Sequence, residues 1–400
     1  MPRAGWVKPE SEVRLSDHIS IGLLTKTYPP ELVDAVVAST GRTQLRHRLL
    51  PARVVVYYVM ALSLYSQASY EEVMRFLVQG LSWLTHWRKG WQVPTKAAIF
   101  KSRQRLGVEP MQELFRTTAR PLASSETQGA WYRGWRVMAL DGSCLDVADT
   151  EANEMAFGRP GSAREGQAAF PQLRLVGLAE CGTHAIVAAV MGPYQVRERQ
   201  MVRQLLQSLQ SEMLCLADRG MYSFQLWQQA QATGAALLWR VRTDQRLEVG
   251  QRFEDGSYLA DVYDSANRHR DHGMTVRVIE YLLDDPGRPG NMRYCLLTNI
   301  LEPARAPAQE LAALYAQRWE FETTLDELKI HQRGPRVVLR SKFPDGVYQE
   351  AYGYLLTHYA IRALMHDAAV EAGLDPDRLS FLRSLRVVRR STTSASSFSP

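Results

Sequence analysis

Apolar residues recur at helical spacing through residues 15–120, and near residue 135 the texture changes to short apolar runs separated by glycine-containing turns. In the first region Ser69-x-x-Glu72 is a capping-box pattern that opens a helix running to about Gln79, before Gly80. Thr95, after Pro94, is placed to cap a second helix, KAAIFKSRQRL, and Gly107 to end it. The longest apolar stretch, VVVYYVMALSLY from Val54 to Tyr65, is shorter than the roughly 20 residues a membrane span needs and reads as a buried helix. No membrane association is expected.

Past residue 135, WRVMALDG, PQLRLVGLAE and HAIVAAVMG predict three adjacent strands. A helix near 198–211, a strand MLCLA ending at Asp218, a helix from about Phe224 to Thr233 and a strand AALLWRV follow. Three hairpin-prone strands and then alternating helix and strand describe an α/β core of about 100 residues. Residues 242–300 interrupt it with turn-rich, alternating sequence that reads as an inserted β subdomain. The helical pattern resumes from Ala308 to His331, followed by a basic segment, RGPRVVLRSK, and a further helix from Tyr348 to Ala372. The expected division is a helical domain at 1–130, a core at 131–241 and 301–372, the insertion at 242–300, and a basic, serine-rich tail at 373–400. The end of that tail, RSTTSASSFSP, is expected to be unstructured.

Composition narrows the class. The chain has 400 residues, 46% hydrophobic and 22% charged, which allows two or three packed domains and argues against global disorder. Cys144, Cys181, Cys215 and Cys295 lie far apart with no C-x-x-C pair, so neither a zinc knuckle nor a secreted disulfide framework is indicated. The charged, proline-containing start MPRAGWVKPESEVRL lacks the apolar run of a signal peptide, and a cytoplasmic protein with reduced thiols is expected.

The net charge of +6 is unevenly spread. Residues 1–130 carry 17 Lys and Arg against 10 Asp and Glu, whereas the rest is nearly balanced at 31 against 32. Residues 42–105 hold 11 basic residues and two acids, Glu71 and Glu72, a footprint suited to a phosphate backbone and equally to a solvated helical surface. The helix KAAIFKSRQRL, with Lys96, Lys101, Arg103 and Arg105, is the candidate for lying on DNA.

Candidate chemistry rests on three acids. Asp141 ends the run VMAL before Gly142, and Asp218 ends LCLA before Arg219 and Gly220. Each alone could be an ordinary turn aspartate. Strands that end side by side would bring the two together, and close carboxylates repel unless a cation such as magnesium neutralises them. In AQELAALYAQRWEFETTLDELKI, Tyr315, Arg318, Glu322 and Lys329 sit at offsets of 0, 3, 7 and 14. On a regular helix they fall within about 60° of one another. That stripe offers a carboxylate to complete a metal site and two cations to hold phosphates. An Arg318–Glu322 surface salt bridge is the plainer alternative. Asp326 points near the same stripe, so geometry leaves the third acid open; Glu320 points away.

The spacing Y-x2-R-x3-E-x6-K in YAQRWEFETTLDELK resembles the motif of bacterial DDE transposases of the insertion sequence four group. ALDGSCLDVADT followed by AFGRPGS resembles that group's first-aspartate region, and LADRGMYSFQLW its second. The likeness runs through roughly residues 15–390. It implies a mixed α/β, RNase H-like core with a β insertion before the catalytic helix, preceded by a helical DNA-binding domain. It further implies that Asp141, Asp218 and Glu322 hold two Mg2+ ions, with Mn2+ as a substitute, and that the enzyme cuts double-stranded DNA at the terminal inverted repeats. The freed 3′-OH ends would pass through a hairpin and join target DNA, within a homodimer on the DNA. Arg318 and Lys329 would clamp phosphates, and Tyr315 would stack on or hydrogen-bond to the end. Trp239 and Trp319 are possible stacking aromatics. A plain metal-dependent nuclease and a decayed transposase acting as a repressor are the rival readings.

Overall fold

The computed structural model describes residues 22–44, 50–79, 93–161, 169–245, 247–264, 272–283, 292–334 and 337–391. The charged N-terminal segment, the expected stop at Gly80 and the serine-rich stretch after Ser391 lie outside the described residues. In chain order come helices α1 (Gly22–Thr27), α2 (Pro30–Ser39), α3 (Ala52–Leu64), α4 (Tyr70–Gln79), α5 (Lys96–Leu106) and α6 (Glu109–Thr118). Then follow β1 (Trp131–Tyr132), β2 (Trp135–Asp146), α7 (Glu151–Phe157), β3 (Gln172–Glu180), β4 (Ile186–Pro193), α8 (Glu198–Leu205), β5 (Met213–Ala217), α9 (Phe224–Gln231) and β6 (Ala236–Val241). The chain continues through β7 (Tyr258–Val262), β8 (Met274–Leu283), β9 (Met292–Thr298), α10 (Ala308–Tyr315), α11 (Trp319–Asp326), α12 (Pro344–Ala372) and α13 (Phe381–Ser391). It forms two compact units, one of 1–119, 145–172 and 326–400, the other of 120–144 and 173–325.

Local signals shape the helical unit. The Ser69 hydroxyl accepts from the Glu72 amide at 3.2 Å and opens α4, and the Thr95 hydroxyl accepts from the Ala98 amide at 3.2 Å and opens α5. Gly107 ends α5 at φ +68°, a left-handed conformation that glycine adopts without strain. Every residue of α3 from Val54 to Leu64 is buried, as an apolar helix without a polar face requires. Its partner is the long helix α12, where Gly353 permits close approach: a Cβ there would lie 2.9 Å from the Val59 carbonyl oxygen. Ser63 donates to the Gly353 carbonyl at 2.9 Å and Tyr28 to that of Leu356 at 2.7 Å. The expected core segment 326–372 therefore packs with the N-terminal helices. No helix among the described residues is long and apolar enough to cross a membrane.

The second unit is built on one nine-stranded mixed sheet, ordered β4-β3-β2-β5-β6-β9-β8-β7, with β1 on the edge of β2. β2, β5 and β6 run parallel, and β3 and β4 pair antiparallel. This is the RNase H-like order. Among the described residues the strands of the insertion join this sheet and form none of their own. β9 pairs antiparallel with β6, β8 with β9 and β7 with β8. Its Val276, Val278, Cys295 and Leu297 join Met138, Leu140, Val176, Trp227 and Trp239 in one apolar core, covered by Met201 and Val202 of α8 and Leu226 of α9. Strand alternation puts Gly177, between Val176 and Leu178, on the opposite face, where it meets Phe321 of α11.

Candidate active site

Asp141 and Asp218 reach the same edge of the sheet because β2 and β5 are parallel neighbours in a register that pairs Leu140 with Ala217. Asp141 follows Leu140 within β2 and Asp218 follows Ala217 just past β5, so their backbones lie about one inter-strand spacing, roughly 4.8 Å, apart. Glu322 comes from α11. Arg318 ties it to the sheet. Its Nη1 donates to Asp141 Oδ2 at 2.8 Å and its Nη2 to Glu322 Oε1 at 3.1 Å, and its side chain is only 6% exposed. Burial pushes the Asp141 carboxyl up to about 6; the Gly142 amide, 2.7 Å from Oδ1, and Arg318 pull it down, while Asp218 and Glu322 raise it further. Asp218 Oδ1 is buried without a hydrogen-bond partner, its nearest cation being Arg240 Nη1 at 4.0 Å.

Three half-buried acids, two aspartates and a glutamate, form a hard-oxygen donor set suited to divalent cations. The orphaned Asp218 oxygen and the raised Asp141 both mark a place short of positive charge. The oxygens of the three acids are not all within 4.8 Å of one another, and the Arg318 guanidinium bridges two of them. Glu320, as its helical phase predicts, turns elsewhere and accepts from the Gly182 amide at 2.6 Å.

The assumption of one regular helix does not hold. A 3-10 turn spans Ala316–Arg318 and a π-helical stretch spans Glu327–Gln332. A 3-10 residue advances about 120°, against about 100° in an α-helix. Lys329 lies on the π stretch, half-buried and in the helical unit, and Asp326 is exposed. Tyr315 is 3% exposed and donates to the Ala217 carbonyl at 3.3 Å. The phenol expected to meet DNA therefore braces the strand end before Asp218. Trp319 is 53% exposed over the Arg318 guanidinium, whereas Trp239 is a core residue set edge-on to Trp227.

Among the α5 cations, Lys96 and Lys101 are exposed, Lys96 beside Glu71 at 3.8 Å, and Arg105 is half-buried. Arg103 is not a surface cation. It is 3% exposed and donates to Gln349, Ser341 and the Gly346 carbonyl at 2.8–3.0 Å. The signal was present: Ile99, Ser102, Arg103 and Leu106 occupy i, i+3, i+4 and i+7, the inward stripe of α5. Arg240, the missed cation beside Asp218, stacks on Tyr294 at 4.0 Å. Only its position inside the apolar strand AALLWRV could have flagged it.

The description "Insertion element 4 transposase N-terminal" matches residues 18–116, and "Transposase DDE domain" matches residues 133–359. The chain is 29% identical over 375 residues to transposase InsG for insertion sequence element IS4 of Escherichia coli (strain K12), covering 93% of this chain and 83% of that protein. It is 24% identical over 204 residues to the putative transposase InsZ of the same strain, covering 51% of this chain and 65% of that protein. Among solved structures, the piggyBac transposase synaptic complex with hairpin DNA superposes with a TM-score of 0.48 at 10% identity, covering 94% of this chain and 80% of that one. With a transposase-domain match across more than half its length, the chain belongs to the DDE transposases of the insertion element 4 type, enzymes that cut and join DNA.

Proposed function

We propose that this transposase excises and inserts an insertion sequence by metal-dependent phosphodiester chemistry at Asp141, Asp218 and Glu322. The observation that carries the reading is the Arg318 bridge from Asp141 to Glu322 beside the bare Asp218 oxygen. It supports a cation site between Asp141, within β2, and Asp218, just past the end of β5. Two bound Mg2+ ions, or Mn2+ in their place, would activate the attacking oxygen and neutralise the leaving one. Asp141 would serve both ions, and Asp218 and Glu322 one each. Water attacks phosphorus at the transposon end, the P–O3′ bond breaks and the oxygen leaves as a 3′-OH. That hydroxyl would attack the opposite-strand phosphate, expelling the 3′-OH of the flanking DNA to close a hairpin; a second water would reopen it, and the regenerated 3′-OH would attack a target phosphate and expel a target 3′-OH.

Arg318, released from the acids, and Lys329 would hold phosphates, with Trp319 as the exposed aromatic at the site. Lys96, Lys101 and Arg105 would contribute phosphate contacts to recognition of the terminal inverted repeats. Pairing of two ends would need a dimer on the DNA, acting in the cytoplasm.

Incubation with end-bearing duplex and Mg2+ tests this directly. Hairpins and joined products are expected from the wild type, and Asp141→Ala, Asp218→Ala and Glu322→Ala should each abolish cleavage while leaving a gel shift. Simple nicks would mean a nuclease, and a shift without products a repressor. Cleavage by Glu322→Ala but not by Asp326→Ala would remove Glu322 from the site.

A further inference from the structure

We infer that α13 is a second surface for the backbone of duplex DNA, carried by Arg383, Arg386 and Arg390. All three are exposed. Their offsets of 0, 3 and 7 fall within about 60° on a helix, so they form one stripe. The stripe is about 10.5 Å long, a length of duplex that carries about six phosphate charges. The sequence of α13, FLRSLRVVRRS, contains no acid, and among the described residues neither Arg383 nor Arg386 forms an ion pair. Like charges at i,i+3 and i,i+4 weaken a helix by a few tenths of a kcal/mol per pair. Folding alone gives no reason to gather them.

The opposite side of α13 is anchored within the helical unit. Phe381, Leu385 and Val388 are buried, and the Phe381 ring lies 5.2 Å from that of His358. Arg389 turns inward and donates to the carbonyls of Leu64 and Gln332, and the Tyr65 hydroxyl donates to the Arg389 carbonyl at 2.7 Å. The helix is thereby held with its arginines outward. A basic amphipathic helix can also bind a bilayer, but only by inserting its apolar face. Here that face is already covered by the protein. A cationic ridge whose one exposed large apolar side chain among the described residues of α13 is Val387 suits a polyanion read by charge, and for an enzyme that acts on DNA that polyanion is the duplex backbone.

This inference rests on the chain's acting on DNA, and the test separates the two. Binding of the full-length protein to an end-bearing duplex and to an unrelated duplex is measured by fluorescence anisotropy from 50 to 300 mM salt. The triple variant Arg383→Gln/Arg386→Gln/Arg390→Gln should lower the slope of log K against log salt by about 2 to 3, at about 0.9 for each phosphate no longer neutralised. Affinity at the lowest salt should fall at least about tenfold, equally for both duplexes. The corresponding triple lysine variant, which keeps the charge, should restore the wild-type slope. An unchanged slope in the glutamine variant overturns the inference, and loss of self-association with that unchanged slope would assign the surface to a second copy. A wild type that binds neither duplex refutes the DNA-acting reading itself.

Discussion

Arg318 donates to Asp141 across 2.8 Å and, one helical turn on, to Glu322 at 3.1 Å, so a single buried guanidinium joins two of the three site acids. In the proposed site a divalent cation would compete with it for those acids. Arg318→Met should therefore lower the stability of the metal-free protein by about 3 kcal/mol, because a buried ion pair loses one partner. The same variant should gain more from Mg2+ than the wild type does, since metal no longer competes with the arginine. Thermal unfolding in EDTA and across a Mg2+ titration reads both effects. A metal-induced shift no larger than that of the wild type would show that the guanidinium does not hold the metal's place.

Gly177 sits under the site. A Cβ there would lie 3.1 Å from Cζ of Phe321, which precedes Glu322 on α11. Gly177→Ala should cost about 1–3 kcal/mol through overpacking. By displacing α11 it should also reduce cleavage more than it reduces DNA binding. Equal losses in both would indicate general unfolding instead of a shifted glutamate.

Arg103 and Lys101 lie on the same helix and predict opposite behaviour. Arg103→Met removes a buried cation that makes three hydrogen bonds and should destabilise the protein by about 2–4 kcal/mol. At temperatures where the variant is folded, its DNA affinity should stay near that of the wild type. Exposed Lys101→Gln should leave stability within about 0.5 kcal/mol and lower the salt slope of DNA binding by about 1. Chemical denaturation and the salt series separate the two.

Arg277 is wholly buried and pairs with Asp255, with further bonds to Ser257 Oγ at 2.7 Å and the Ala306 carbonyl at 2.6 Å. Burial raises the Asp255 carboxyl, but Ser257, the Ala308 amide and Arg277 together hold it below the usual carboxylate range. A depressed folded-state value means that the stabilisation is complete above the unfolded value of about 3.9 and is lost as pH falls through the lower folded value. Asp255→Asn should cost about 3–5 kcal/mol at pH 7 by leaving Arg277 unpaired. The gap from the wild type should narrow below about pH 4, as urea denaturation at a series of pH values would show. A gap that stayed constant to pH 2 would deny the ion pair its role.

The sequence by itself determined what neighbouring residues control. Thr95 and Gly107 bound α5, Ser69 opens α4, and the apolar runs before Asp141 and Asp218 become the strands that carry them, because caps and periodicity act within a few residues. Helical spacing placed Glu322 and Asp326 near one stripe for the same reason, and left the choice between them open. Tertiary structure decided what depends on partners distant along the chain. The insertion became an extension of the core sheet once β9 paired with β6, and α12 joined the N-terminal helices because α3, apolar all round, needed a surface to cover it. Packing also placed Arg103 inward and Tyr315 beneath the strand end, and it interrupted the helix of the motif with 3-10 and π turns that uniform helical spacing cannot foresee. Burial then gave Arg318 its bridging place, because a guanidinium enclosed beside two carboxylates has no water to turn to.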